Sequence, residues 1–313
     1  MNVLLSIVLF CLINFHKSIF AFVPSGRAEH NAVLVDKKLY FYGGYRFEEG
    51  YAPNQLFYLD VSKSFTTFDI SLMPWTDLSS ISGVTCKSAA AACADESTIY
   101  YIGGSHTGGL VSKFDTILLQ WSEPITSGSI PTSSIERPGE EIKFVQCVNL
   151  GHKIHIYGGF SSHKMNILDT SQLYWSTFTS SLMYSGTLFY SAALLNDSIL
   201  YIGGAFNTVD LYFSRILGDC QTNSNQEILN VGGPLKGLVG HTSTLIGAYV
   251  LIAFATSDIF LLDVSHKDSY KWVTTYDPIN SIQPIQTSPT SPTTPSNISI
   301  GAAIAGMIGS GII

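Results

Sequence analysis

The sequence predicts an all-β protein built from repeated four-stranded units of about fifty residues. Three observations lead there. Only 12% of the 313 side chains are charged, while 46% are hydrophobic and 27 residues are glycine. A soluble helical bundle needs charged outer faces, and a disordered chain lacks apolar residues, so both are excluded. Four apolar runs each close on a pair of glycines, and each is preceded by a second short run across a turn, the pattern of a hairpin. The charge balance removes one function class: 16 Lys+Arg against 23 Asp+Glu, net −7, gives no basic field for nucleic acid.

From the N-terminus, residues 1–21 read as an export signal. Their apolar run, 3–15, has the length of a signal core and is short for a bilayer span, and Ala21 is the small residue at the cleavage point. The repeated units occupy 22–278. Their second strands are Leu39-Tyr40-Phe41-Tyr42-Gly43-Gly44, Ile99-Tyr100-Tyr101-Ile102-Gly103-Gly104, Ile154-His155-Ile156-Tyr157-Gly158-Gly159 and Ile199-Leu200-Tyr201-Ile202-Gly203-Gly204. The first glycines, at 43, 103, 158 and 203, are 60, 55 and 45 residues apart. The preceding runs are 30–35, 88–93, 144–148 and 190–195, divided from the second strands by turn formers such as Asp36-Lys37-Lys38. A third run then ends on an acidic residue with an aromatic beyond it: Asp60 and Phe65, Asp115 and Trp121, Asp169 and Trp175. A fifth unit, 241–272, has Ala253-Phe254 in place of the glycines, then Asp263 and Trp272.

These residues, with the lead-in phrase Pro24-Ser25-Gly26-Arg27-Ala28-Glu29-His30-Asn31-Ala32, resemble the kelch repeat, the blade of a β-propeller. The resemblance implies an all-β, kelch-type β-propeller of about five four-stranded blades. No spare strand is evident to close the ring, which leaves exposed edges as the expectation.

Residues 279–297 are Pro/Ser/Thr-rich and carry no charge; prolines hold such a segment extended, and its hydroxyls accept O-glycans. It reads as a stalk reaching roughly 50 Å at about 3.1 Å per residue. Residues 298–313 form an uncharged apolar tail of roughly 24 Å as a helix, against a hydrocarbon core of about 30 Å. A partial transmembrane helix, a short genuine span and a removable lipid-anchor signal all fit it. Each attaches the chain to a membrane. The fourth strand of the last unit is expected to exit on the loop-bearing side, so the stalk leaves there.

Of five cysteines, Cys11 is lost with the signal, and Cys86, Cys93, Cys147 and Cys220 remain as candidate disulfide partners outside the cell. Four cysteines allow three connectivities, all open. Cys86 and Cys93 are near enough for a local bridge, and Cys147 reads as the strand equivalent of Cys93. Asn196 and Asn297 head glycosylation sequons.

The resemblance also brings in the copper-radical oxidases, of which galactose oxidase is an example. They need copper held by His and Tyr, a Tyr–Cys cross-link and an adjacent Tyr-His pair. None of the eight histidines here follows a tyrosine, and no other catalytic motif replaces the site. No metal, cofactor or enzymatic activity is expected. In a propeller, the loops after the second strands share a face with the links between blades. Those loops carry Tyr45, Arg46, Phe47, Ser105, His106, Phe160, His163, Phe206 and Asn207, an aromatic and hydrogen-bonding set suited to a glycan or peptide. The expected function is a cell-surface or secreted binding or adhesion module; the alternatives are a carbohydrate oxidase and a structural surface protein without a discrete ligand.

Overall fold

The computed structural model describes residues 22–46, 50–51, 55–81, 87–104, 109–131, 142–143, 145–149, 151–157, 164–179, 188–194, 199–205, 218–219, 240–253, 258–266 and 269–278. Among them the regular structure is β-strand with one short 3-10 turn, Ile70–Leu72, and no helix is long and apolar enough to cross a membrane. The segments read as signal, stalk and apolar tail, with Cys86, Cys220, Asn196 and Asn297, lie outside the described residues.

Five sheets of three to five strands follow one another along the described chain. The first is Asn31–Val35, Lys38–Tyr42, Leu56–Asp60 and Trp75–Asp77, each antiparallel to its neighbour. The second is Ala91–Asp95, Thr98–Ile102, Val111–Asp115 and Gln120–Ser122. The third repeats the pattern with Cys147–Asn149, Lys153–Tyr157, Lys164–Asp169 and Tyr174–Thr179, and adds Ser127–Gly128 in parallel at its outer edge. The fourth has Leu188–Leu194, Ile199–Ala205 and Gly218–Asp219; the fifth has Thr242–Ile246, Tyr249–Ala253, Ile259–Asp263 and Lys271–Val273.

The near-continuous apolar second strands are explained by burial on both faces. Leu39 and Phe41 pack with Leu251, Ala253 and Leu261 of the fifth sheet. Tyr40 and Tyr42, on the opposite face, pack with Ile99, Tyr101 and Phe114 of the second sheet. Tyr100 and Ile102 in turn meet Ile154, Ile156 and Trp175 of the third. Strand alternation thus sends successive side chains to different neighbours, and the core lies between sheets rather than beneath one.

The acidic residue ending each third strand is a turn device. Asp115 Oδ1 accepts from the Ile117 and Leu118 N–H groups at 2.8 Å each, and Asp169 Oδ1 from Ser171 and Gln172 at 3.0 Å. Asp60 and Asp263 do the same for Ser62 and Ser265. The residue after each one, Val61, Thr116, Thr170 or Val264, donates its N–H to the first hairpin turn of its own sheet, at Lys37, Ser97, His152 or Ala248. Such side-chain-to-backbone bonds fix the turn geometry locally, which is why the acid recurs.

Four expectations are corrected. In the first sheet the fourth strand carries Trp75, not Phe65, because its connection runs from Val61 to Pro74 instead of making a tight turn. Phe65–Thr66 serves closure instead, pairing antiparallel with Thr275–Tyr276 beyond the last sheet, so a closing strand exists. That pair is supported by Tyr276 Oη donating to Val61 O at 3.1 Å and by ring stacking with Phe65 at 4.8 Å. Consequently Thr275–Tyr276, near the end of the described residues, lies on the hairpin-turn side and not the loop side, because the segment after Lys271–Val273 folds back toward Val61 and Tyr249. In the fourth unit the strand Ile199–Ala205 continues through its glycines instead of ending on them.

Candidate ligand-binding face

The lead-in segment and the loop after the glycines meet on one side of the sheets. Ala28 and Tyr45 exchange both backbone hydrogen bonds, at 2.9 and 2.7 Å. In the first two units the second glycine of the pair is what leaves room for the lead-in segment. A Cβ on Gly44, at φ +99, would lie 2.8 Å from Ala28 O, and one on Gly104, at φ +78, 2.5 Å from Ser88 O.

A buried cation braces this corner in the first sheet and another braces its counterpart in the second. Arg27 is 2% exposed; its Nη1 donates to Gly43 O at 3.2 Å, its Nη2 to Gln55 Oε1, and its guanidinium lies 4.8 Å from the Phe57 ring centre. Lys87, sixty residues on and 1% exposed, donates from Nζ to Gly109 O at 2.8 Å and Leu110 O at 3.3 Å. Burial pushes its ammonium down to about 8, against the pull of the Glu123 carboxylate. Arg27 belongs to the lead-in phrase of the repeat but its role is not legible there, and Lys87 is missed, although a signal is present: Arg27 and Lys87 have the same spacing as Gly43 and Gly103.

The residues two beyond these cations adopt left-handed backbone, Glu29 at φ 58 and Ala89 at φ 55, and Gly240 matches them at φ 70. Ala89 N donates to Glu29 O at 2.7 Å, and Glu29 N donates to Gly240 O at 2.8 Å. One backbone link therefore joins the second sheet to the first and the first to the fifth. Two histidines flank the Glu29–Gly240 link, and each reaches back one sheet: His30 Nε2 to Thr242 Oγ1 and His241 Nε2 to Ser191 Oγ, both at 2.7 Å. Burial lowers His30 well below the ordinary imidazole range, with Arg27 and His241 adding to the effect. The Glu29 carboxyl is raised by burial, against the opposing pull of its hydrogen bond from Ser88 Oγ and of Lys143.

Of the expected site residues, Tyr45 and Arg46 are half-buried on this face, in a small hairpin pairing Tyr45–Arg46 with Gly50–Tyr51. Arg46 Nη1 donates to Ser25 Oγ at 3.4 Å, an oxygen shared with Arg27. Phe47, Ser105, His106, Phe160, His163, Phe206 and Asn207 lie outside the described residues. Among the described residues, no group of three or more His, Cys, Asp or Glu is arranged to hold a metal ion.

The cysteines form one described bridge, Cys93–Cys147, between the second and third sheets. The expected equivalence of these positions is off by one residue: Cys93 faces Tyr100, three before its glycine, and Cys147 faces Ile156, two before its own. Equivalent residues on consecutive sheets point the same way round. The one-residue offset turns Cys147 back toward Cys93. Beside it, Asn149 Nδ2 donates to Ala94 O at 2.8 Å and to Asp95 Oδ1 at 3.1 Å, His152 Nδ1 lies 3.1 Å from Asp95, and Thr170 Oγ1 also donates to Asp95.

Residues 16–204 match the KLHDC2/KLHL20/DRC7 Kelch-repeats domain. The chain belongs to the Kelch-repeat family. Among curated proteins, Kelch domain-containing protein 3 is 27% identical in Bos taurus and 26% identical in Homo sapiens, each over 198 residues covering 57% of this chain and 48% of the relative. The chain thus spans about half the length of the curated relatives it matches. The solved structure of YjhT superposes with a TM-score of 0.54 at 11% identity, covering 82% of this Kelch chain and all of that one, which shows a shared fold. The diglycines, the Asp turns and the lead-in cations are therefore parts of a Kelch blade.

Proposed function

We propose that this Kelch-repeat chain is a binding module of about five blades that recognises a protein ligand through its loop face, and that it works outside the cell, held to a membrane by its C-terminal segment. The observation that carries the binding reading is the braced corner at Ser25. Buried Arg27 is committed to Gly43 and Gln55, so the corner is rigid, while half-buried Arg46 and Tyr45 project from a short hairpin above it. A guanidinium beside an aromatic ring on a fixed support suits carboxylate and carbonyl oxygens of a protein surface. Matching sets of polar and aromatic side chains in the other loops make a glycan the second ligand class. No catalytic step is proposed.

The extracellular reading draws on the signal-like segment 1–21, the sequons at Asn196 and Asn297, and the Cys93–Cys147 bridge, since such bridges persist in oxidising compartments. The test is affinity capture of extracellular proteins and glycans on the full chain, compared with Arg46→Ala. Binding weakened about tenfold or more, with unchanged melting temperature, is expected. Equal capture by both removes the loop-face reading. An endoglycosidase-sensitive mass at Asn196 checks the compartment separately.

A further inference from the structure

The face opposite the ligand loops carries a feature the repeat does not require. The turns from third to fourth strand lie there, and in three of them the aspartate is followed, one residue on, by a polar pair: Ser62-Lys63, Ser171-Gln172 and Ser265-His266. The second blade places Ile117 and Leu118 at the same positions, 77% and 64% exposed. The long connection of the adjacent first blade adds Phe68 and Leu72, 82% and 79% exposed. Isolated exposed apolar residues are ordinary surface, whereas large ones gathered on one face mark an interaction site. These four stand on two turns, the Asp115 turn and the connection between Asp60 and Trp75, rather than forming the walls of a groove. A groove accepts a peptide or helix; tips spread across a face fit a plane.

We infer that the edge of this face formed by the first two blades rests on a lipid bilayer, with Phe68, Leu72, Ile117 and Leu118 entering its interfacial layer and the fourth blade, with its Asn196 sequon, outside the contact. The inference rests on the membrane-tether reading above. The position of the last described strand selects lipid as the occupant. Thr275–Tyr276 pairs with Phe65–Thr66, so the strand that precedes the C-terminal segment lies against the connection that carries Phe68. The sequence beyond includes the charge-free apolar stretch 298–313. The last described strand and the apolar tips share one face, opposite the side that carries Tyr45 and Arg46. Apolar side chains on a turn gain from the acyl boundary as those of an interfacial helix do, without needing a particular headgroup.

The experiment uses the full chain on phosphatidylcholine vesicles with or without brominated acyl chains, and the added fluorescence of Leu118→Trp and Arg46→Trp over wild type. Brominated lipid is expected to remove most of the added emission of Leu118→Trp and leave that of Arg46→Trp. Both unquenched, while the chain floats with the vesicles, overturns the inference and leaves the tether standing. Failure of wild type to float overturns both. A Leu118→Trp emission already blue-shifted without vesicles and insensitive to bromine assigns the patch to a protein surface and overturns the lipid assignment. Ile117→Asp combined with Leu118→Asp and Phe68→Trp gives a second reading: quenching at position 68 falls if the tips act together, and is unchanged if they do not.

Discussion

His30 Nε2 and Thr242 Oγ1 meet at 2.7 Å in the buried seam between the first and fifth blades, although 212 residues separate them in sequence. The bond has the same form as that between His241 and Ser191, one blade back. The closing seam is thus built like the seam between consecutive blades. Thr242→Val keeps the volume and removes the hydroxyl partner. A loss of about 1–3 kcal/mol is expected in denaturant unfolding, with a similar loss for Ser191→Ala. A loss at Ser191 alone would show that the closing seam contributes little.

Two kinds of glycine occur at the turns. Gly44 has positive φ, and a Cβ there would stand 2.8 Å from Ala28 O, whereas Gly151, at φ +58, has nothing within 4 Å. Gly44→Ala should destabilise by several kcal/mol through strain plus displacement of Ala28, and Gly151→Ala by about 1 kcal/mol through backbone strain alone. Thermal melts of the two variants decide it. Equal losses would mean that the close approach is not the constraint.

The Cys93–Cys147 bridge closes a loop with a sequence separation of 54. On the chain-entropy argument such a loop is worth about 4 kcal/mol, so Cys93→Ser should lower the unfolding free energy by roughly that amount under oxidising conditions. Non-reducing peptide mapping should recover a 93–147 pair. A Cys86–Cys93 pair there would refute the seam assignment.

The same seam has a pH signature. Hydrogen bonding to Asp95, then its charge, raises His152; burial acts to raise Asp95, and bonds from Thr170, His152 and Asn149 outweigh it and lower the carboxyl. The raised histidine stabilises fully below its ordinary 6.5 and loses that contribution as pH rises through its folded value. The lowered aspartate stabilises above its ordinary 3.8 and loses its contribution as pH falls through its folded value. The pair therefore acts most strongly between 3.8 and 6.5. His152→Ala should reduce melting temperature more at about pH 5.5 than at about pH 8, a comparison inside and above that window. Buried His30, lowered well below 6.5, works in the opposite direction, since unfolding lets it take up a proton in acid. Subtracting wild type from variant isolates His152.

Much of the architecture was legible in the residues. Apolar runs closed by Gly43-Gly44 and Gly103-Gly104 marked the second strands, and Asp60, Asp115, Asp169 and Asp263 marked the ends of the third, because turn geometry and strand alternation are local properties. Tyr45 and Arg46 were placed on the loop face for the same reason. What the local pattern did not contain was the relation between units. Arg27 is legible only as part of the lead-in phrase and Lys87 not at all; their burial against loop carbonyls comes with the folded chain. Whether Cys93 met Cys86 or Cys147 depended on a one-residue register between neighbouring sheets. Phe65 passed for a blade aromatic until Thr275–Tyr276 folded back onto it, which also put the last described strand on the face opposite the one expected. Strand and turn positions follow from the order of residues alone, since backbone preference and apolar period act within a few residues. Closure, cross-linking and orientation came with the packed fold, because these depend on how twisted sheets meet across hundreds of residues, a geometry that no local pattern encodes.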